Sequence, residues 1–383
     1  MQEPQFKQFR QTYGFDDVAI VPGDVTLNPA MVDTSWKIAD FKFDIPIVGS
    51  AMDGSMDVNM AVKLSKLGGL GVLHLEGVQT RFDNPTEALQ NIVSTPQEQV
   101  TSLMQDYYSR PIKEELIARR IKDIKAQGAI AAVSVSPMNA HRFAGVIKEA
   151  GADIMVVSAT LTTARFISGS NSPSLDLPAL CQEMGIPVVV GNSVTYNATL
   201  ELMRTGVAAV LIGVGPGSAC TTREVLGLGV PQVTATMDCA AARDVYFAES
   251  GRYVPVITDG GINRGGSVCK AMASGADAVM LGSLLAQTVG APGGGYHWGM
   301  ANPNSSLPRG TRIHVGTNGT LEQYLFGPTS VTDGSQNLIG ALRTLMGNVG
   351  AIDIAQLHEK AEIIIAPAIK SEGKSWQLSQ RPK

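Results

Sequence analysis

The feature that most limits what this chain can fold into is a series of eight short, continuously apolar segments rich in β-branched residues. They are IPIVGS (45–50), GVLHL (71–75), IAAVSV (130–135), IMVVSA (154–159), PVVVGN (187–192), AAVLIGV (208–214), VPVITDGG (254–261) and AVMLGS (278–283). A strand with one wet face alternates apolar and polar residues. These mostly do not, so helices are expected to cover both faces of each. The helical spacing falls between them, in NMAVKLSKLG (59–68), AHRFAGVIKEAG (140–151), LDLPALCQEMG (175–185), NATLELMRTG (197–206), CAAARDVYFAESG (239–251) and GGSVCKAMASG (265–275). Each of these ends on glycine, the residue that helix C-caps favour. Eight βα repeats predict the α/β class and a (β/α)8 TIM barrel; a doubly wound open sheet follows the same grammar and is the alternative.

One catalytic barrel domain is expected over 1–383, with two stretches outside the repeat. Residues 77–128 read as a short polar helical segment. Residues 291–335 are rich in Gly, Pro, Asn, Ser and Thr and too long for an ordinary connection, so 301–330 is expected to form an active-site lid. With 44% hydrophobic residues over 383 positions, a core is readily buried. Thirty Lys plus Arg against 34 Asp plus Glu give a net charge of −4. That balance disfavours nucleic acid or an anionic membrane as the main partner and leaves a small phosphate compound open. No apolar run approaches the ~18 residues of a membrane span, and MQEPQFKQFRQTYGF lacks a secretory h-region, so a cytoplasmic location is expected. Cys181, Cys220, Cys239 and Cys269 lie far apart without CxxC spacing, which argues against zinc or a disulfide framework.

In a barrel the chemistry belongs just beyond the strand C-termini. After the sixth segment comes Gly213-Val214-Gly215-Pro216-Gly217-Ser218-Ala219-Cys220-Thr221-Thr222-Arg223-Glu224. Its glycines leave backbone groups uncovered, so the loop can wrap an ion or a phosphate. Thr221 and Glu224 have capping-box spacing and would start a helix directly after Cys220. A thiol at such a position beside Arg223 is a nucleophile candidate, whereas the other three cysteines, placed in helices, read as small buried hydrophobes. The seventh strand ends in Asp259-Gly260-Gly261 and the eighth in Gly282-Ser283, small residues that let backbone amides reach phosphate oxygens; ordinary turn glycines are the plainer reading. Asp259 can accept hydrogen bonds from a vicinal diol or serve only as a cap.

IPIVGSAMD, GGLGVLH, GVGPGSACTTR, GVPQVTA, TDGGI, AVMLGS and a GM followed by a lid resemble, in order and over 12–350, the IMP dehydrogenase/GMP reductase family. The resemblance implies a purine nucleoside 5′-monophosphate over the barrel mouth, a covalent thioimidate at C2 and hydride exchange with a nicotinamide dinucleotide. It implies that Cys220 attacks C2 and that Ser50 and Met52 line the nucleotide site. Asn192 would lie near the base, Asp259 on the ribose, and Ser218, Gly261, Gly282 and Ser283 on the phosphate. Gly299 and Met300 would meet the base. Thr222 would relay a proton or act merely as a helix cap. The carbonyls of Gly215, Gly217 and Cys220 resemble the family's K+ ligands, while SEGKSW (371–376) is only a distant match to the partner segment of that site. The family's assembly implies a homotetramer.

The chain departs from the family at three places. Residues 77–128 are too few for the usual pair of CBS regulatory modules. Where the family carries an aspartate after the fourth strand, Val157-Ser158-Ala159-Thr160 stands. The lid lacks the Arg-Tyr pair that activates water; Arg309 stands where the family places a base-contacting Gln or Glu, and Arg312, His314 and Tyr324 are further candidates, unless 311–326 is only a surface hairpin. NAD-dependent oxidation of IMP to XMP is the first expectation. NADPH-dependent reduction of GMP and an inactive purine-nucleotide binder are the alternatives. A guanidinium at 309 favours the dehydrogenase, because it orients water better than it donates a proton.

Overall fold

A computed structural model describes residues 9–166, 175–299 and 312–366. All eight apolar segments become parallel strands: Ile47–Gly49, Leu70–His74, Ala132–Val135, Ile154–Ser158, Val188–Ser193, Ala209–Ile212, Val256–Asp259 and Ala278–Leu281. They form a closed barrel in chain order, because the eighth pairs with the first through Val279↔Ile47, Met280↔Val48 and Leu281↔Gly49. The open-sheet alternative is thereby excluded. Every residue of the third, sixth and eighth strands is buried, as continuous apolar runs require when helices cover the outside. The fit is tight: a Cβ added at Gly71 would lie 2.6 Å from Ala61 Cα on the helix Val58–Lys66.

The expected helices are present, with one marked difference of extent. Leu177–Met184 and Gln232–Ser250 end on Gly185 and Gly251 in the left-handed conformation, as their C-cap glycines predict. The second begins seven residues before the expected CAAARDVYFAESG, at Gln232, directly after Pro231. Its early turns are rich in buried Val, Thr and Ala, a face without the clear apolar stripe that marks an amphipathic helix. The helix completing the barrel ring, Leu338–Val349, follows the eighth strand only after the long insertion that begins at Gly282. At the opposite end of the chain, Val18–Val21 pairs antiparallel with Glu362–Ile365 and ties the two ends together. No single helix among the described residues is long and apolar enough to cross a membrane.

Segment 77–128 folds as four helices, Val78–Arg81, Pro85–Ser94, Gln97–Ser109 and Glu114–Lys125. The second and third have their own small core of Ala88, Leu89, Ile92, Val100 and Met104, which closes on Trp298. Trp298 belongs to the hairpin Tyr296–Trp298/Arg312–His314, the described base of the expected lid. Arg312 donates to the carbonyls of Ile92 and Val93 and lies over the Tyr296 ring. Trp298 Nε1 donates to Tyr108 Oη over 2.8 Å, and Tyr108 donates to Asp53 Oδ2 over 2.7 Å. Asp53 Oδ2 also accepts from the Val78 amide, 2.9 Å away. The helical excursion is thus a clamp, joining the turn after the first strand to the hairpin.

Tyr108→Phe leaves a buried indole N–H without an acceptor and removes one donor from a buried carboxylate. It is expected to cost about 1–3 kcal/mol, read as a lower denaturant midpoint with unchanged m-value. A change below about 0.5 kcal/mol, the range of an ordinary surface substitution, would show that the clamp contributes nothing to stability.

Candidate active site

The loops beyond the strand C-termini enclose one cavity of about 560 Å3, a size suited to a nucleotide-like ligand. Two residues assigned from the sequence, Met300 and Arg309, lie outside the described residues. Most of the other candidates line this cavity: Cys220 and Thr222, Asn192 and Asp259, Ser50 and Met52 after the first strand, Gly282 and Ser283 after the eighth, and Gly299. Gly215, Gly217, Ser218 and Gly261 complete the rim.

Cys220 is half-buried, and its thiol donates to Thr222 Oγ1 over 3.1 Å. A helix, Thr222–Leu226, does follow the cysteine, but not through the expected capping box. Thr221 sits at φ −102°, ψ 9°, away from the extended geometry of an N-cap, and its side chain makes no cap bond. The hydroxyl that matters is the next one, turned toward the sulfur. Arg223 supports the loop from behind: it donates to the Val230 carbonyl over 3.0 Å, and a Cβ added at Gly215 would lie 2.5 Å from its Cγ. Cys239 and Cys269 are buried, with burial pushing each thiol up to about 12, so neither competes as a nucleophile.

Asn192 Nδ2 donates to Asp259 Oδ2 over 2.8 Å. Desolvation raises the Asp259 carboxyl to about 6, partly offset by that donation. Its second oxygen is left to accept from a ligand. Ser218 Oγ and Ser283 Oγ lie 2.6 Å apart, joining the loop after the sixth strand to the end of the eighth. Ser134 Oγ and Ser158 Oγ, at the ends of the third and fourth strands, are 3.1 Å apart, and Ser136 and Thr160 also line the cavity. Ser158 and Thr160 lie at the end of the fourth strand, where the resemblance leads one to expect an aspartate.

Two contacts mark the loop whose carbonyls are expected to hold K+. The Gly217 carbonyl already accepts from the Cys220 amide over 3.0 Å, and the Arg223 side chain packs against Gly215, adding a fixed positive charge beside the loop. Arg312, His314 and Tyr324 do not line the cavity. Arg312 is held in the clamp, and exposed His314 packs its edge on the Tyr296 ring. Buried Tyr324 donates to Gln287 Oε1 over 2.9 Å, standing behind a cavity residue without reaching the cavity itself. Sequence reasoning missed His297, Gln287 and Ser335, all on the cavity wall. His297 was findable, two residues before the Gly299-Met300 pair.

Comparison with known proteins identifies the family. The model for the IMP dehydrogenase/GMP reductase domain matches residues 12–375. An uncharacterized oxidoreductase of Mycolicibacterium smegmatis is 37% identical, over 91% of this chain and 96% of its own. The inosine-5′-monophosphate dehydrogenase of Cryptosporidium parvum is 28% identical over 91% of each chain. The crystal structure of an IMP dehydrogenase/GMP reductase-like protein from Corynebacterium glutamicum superposes with a TM-score of 0.88 at 33% identity, covering 96% of this chain and 97% of that one. With a closed eight-stranded barrel and a cysteine-bearing loop over its mouth, this chain belongs to the IMP dehydrogenase/GMP reductase family of oxidoreductases.

Proposed function

We propose that the protein oxidises IMP to XMP with NAD and water, through a covalent thioimidate on Cys220. The observation that carries this reading is the meeting of three pairs on one cavity: Cys220–Thr222 at 3.1 Å, Asn192–Asp259 at 2.8 Å and Ser218–Ser283 at 2.6 Å. The three pairs supply a nucleophile with a proton relay, a diol acceptor and a phosphate anchor within one site. Inosine-5′-monophosphate dehydrogenases stand among the relatives.

In this mechanism the Cys220 sulfur adds to C2 of the purine as the thiolate, its proton passing by way of Thr222. NAD supplies the acceptor for the hydride that leaves C2. The hydroxyls of Ser134, Ser136, Ser158 and Thr160, which line the same cavity as the thiol and carry no charge, would hold its nicotinamide end. Loss of hydride leaves the thioimidate on Cys220. Water then adds at C2, the C2–S bond breaks, and XMP leaves with the oxygen of that water; Thr222 returns a proton to the sulfur. We assign the guanidinium of Arg309 to orienting that water, from its place in the sequence. Met300 we assign to the base on the same ground. A homotetramer completes the proposal.

Purified protein with IMP and NAD should generate reduced nicotinamide absorbance, and with GMP and NADPH should consume none. The reverse pattern would make it a reductase, and silence in both assays a binder. Cys220→Ala should lower turnover by about a thousandfold or more while IMP affinity stays within about tenfold, because ribose and phosphate contacts carry ground-state binding. Normal turnover by this variant would end the covalent reading.

Asp259 gives a pH signature. Its ionised form accepts from the ribose, and its carboxyl sits at about 6, so IMP binding should weaken as pH falls through 6, by up to about tenfold per unit. The phosphate ionises near the same pH, so the difference between wild type and Asp259→Asn isolates the carboxyl. Identical pH profiles for the two proteins would remove Asp259 from ligand binding.

A further inference from the structure

We infer that Glu76 is a positioning residue for the cofactor side of the cavity, its carboxylate bracketing the turn after the third strand and so fixing the Ser136 hydroxyl where the nicotinamide end would lie. This deepens the proposed reaction and rests on its assignment of the hydroxyls of Ser134, Ser136, Ser158 and Thr160 to the dinucleotide. Glu76 does not line the cavity itself and takes no part in the proposed chemistry. It is nonetheless a carboxylate with 5% exposure, and a carboxylate so buried needs donors.

The donors come from one turn. The second and third strands pair in parallel through His74↔Ser134, and the ladder runs on through the Leu75 amide to the Ser134 carbonyl at 2.9 Å. Two residues beyond His74 the same register sets Glu76 opposite Ser136, and there a side chain takes over as acceptor. Glu76 Oε1 accepts from the Ser136 amide over 2.5 Å, and Oε2 accepts from Asn139 Nδ2 over 3.0 Å. Ser136 and Asn139 are the two ends of a tight turn, closed by the Asn139 amide donating to the Ser136 carbonyl over 3.1 Å. One carboxylate therefore holds both corners, with Pro137 and exposed Met138 between them.

At Asn139 this arrangement overrides the local preference. Asn139 is the N-cap of the helix Ala140–Glu149, a position where asparagine ordinarily accepts from the first turn, yet its side chain makes no cap bond. Its φ of −105° and ψ of −1° lie outside the extended cap geometry, and its amide goes to Glu76 instead. From the other side the helical excursion grips the same residue: Arg81 Nε donates to the Glu76 carbonyl over 2.9 Å, and Thr80 Oγ1 to the Leu75 carbonyl over 2.6 Å. What the bracket presents to the cavity is Ser136, whose hydroxyl makes no hydrogen bond among the described residues, whereas Ser134 and Ser158 are already paired. A hydroxyl on a turn fixed at both ends is a pre-organised contact for an uncharged amide or a diol.

The test is steady-state kinetics with NAD and IMP varied in turn, on wild type, Glu76→Gln, Ser136→Ala and the double variant. Glu76→Gln keeps the shape but sets a donor where an acceptor is needed. Its kcat/KM for NAD should fall about tenfold and its KM for IMP stay within about twofold. Ser136→Ala should lose as much, and the double variant no more than the worse single, because both act through one hydroxyl. A merely structural role predicts additive losses or an equal loss for both substrates; either result, or unchanged NAD kinetics, overturns the inference. Should Glu76→Gln fail to fold, Asn139→Ala decides it, since that side chain caps nothing and its loss removes the bracket alone. A NAD-selective loss of about threefold or more supports the role, and unchanged NAD kinetics overturns it. Wild type silent with IMP and NAD retires the proposed reaction, and the role of Glu76 is then read from calorimetric binding of NADH and NADPH. Lower affinity in Glu76→Gln sustains it; equal affinity, or no dinucleotide binding by wild type, overturns it.

Discussion

The seam between the eighth and first strands is the contact on which the site depends. Leu281 pairs with Gly49, and the ladder continues one step further through the Ser50 amide to the Leu281 carbonyl at 2.9 Å. That extra bond sets Ser50 beside Gly282, and with them Ser283 and His297. An open sheet would leave these segments at opposite edges. Closure therefore does more than remove two edge strands; it turns residues some 230 positions apart into one subsite.

The same logic explains how much was legible in the sequence. Strands buried on both faces leave an unmistakable continuous apolar run, and the chemistry sits directly after them, so Cys220, Asp259, Gly282 and Ser283 could be placed from local sequence alone. The clamp could not. Asp53, Tyr108 and Trp298 meet across large separations in sequence, each looks like an ordinary core or turn residue by itself, and no local pattern announces their contact. The capping box failed for a different reason. Spacing alone recognises Thr221 and Glu224, but the tight loop needed to present Cys220 holds Thr221 out of cap geometry. His297 carries no periodic signal, because its strand is only three residues long, and only its place two residues before the Gly299-Met300 pair could have marked it.

The cavity divides its labour by charge. One end is neutral and hydroxyl-lined, at Ser134 and Ser158; one wall carries a carboxyl poised at about 6; the seam end holds a neutral imidazole. Buried ionisable groups are unfavourable without partners, and Asp259 receives one side-chain hydrogen bond among the described residues, from Asn192. The helical excursion, lacking the length for regulatory modules, instead fastens the hairpin that brings His297 and Gly299 to the rim.

The central claim is that Cys220 becomes covalently bonded to the purine during turnover. Rapid quenching of the protein with IMP and NAD, followed by digestion and peptide mass analysis, tests it directly. The account predicts a nucleotide adduct on the peptide bearing Cys220, appearing with the first reduced cofactor and absent without NAD, while Cys181, Cys239 and Cys269 stay unmodified. Steady turnover with no adduct at any quench time, or an adduct on another cysteine, would contradict it.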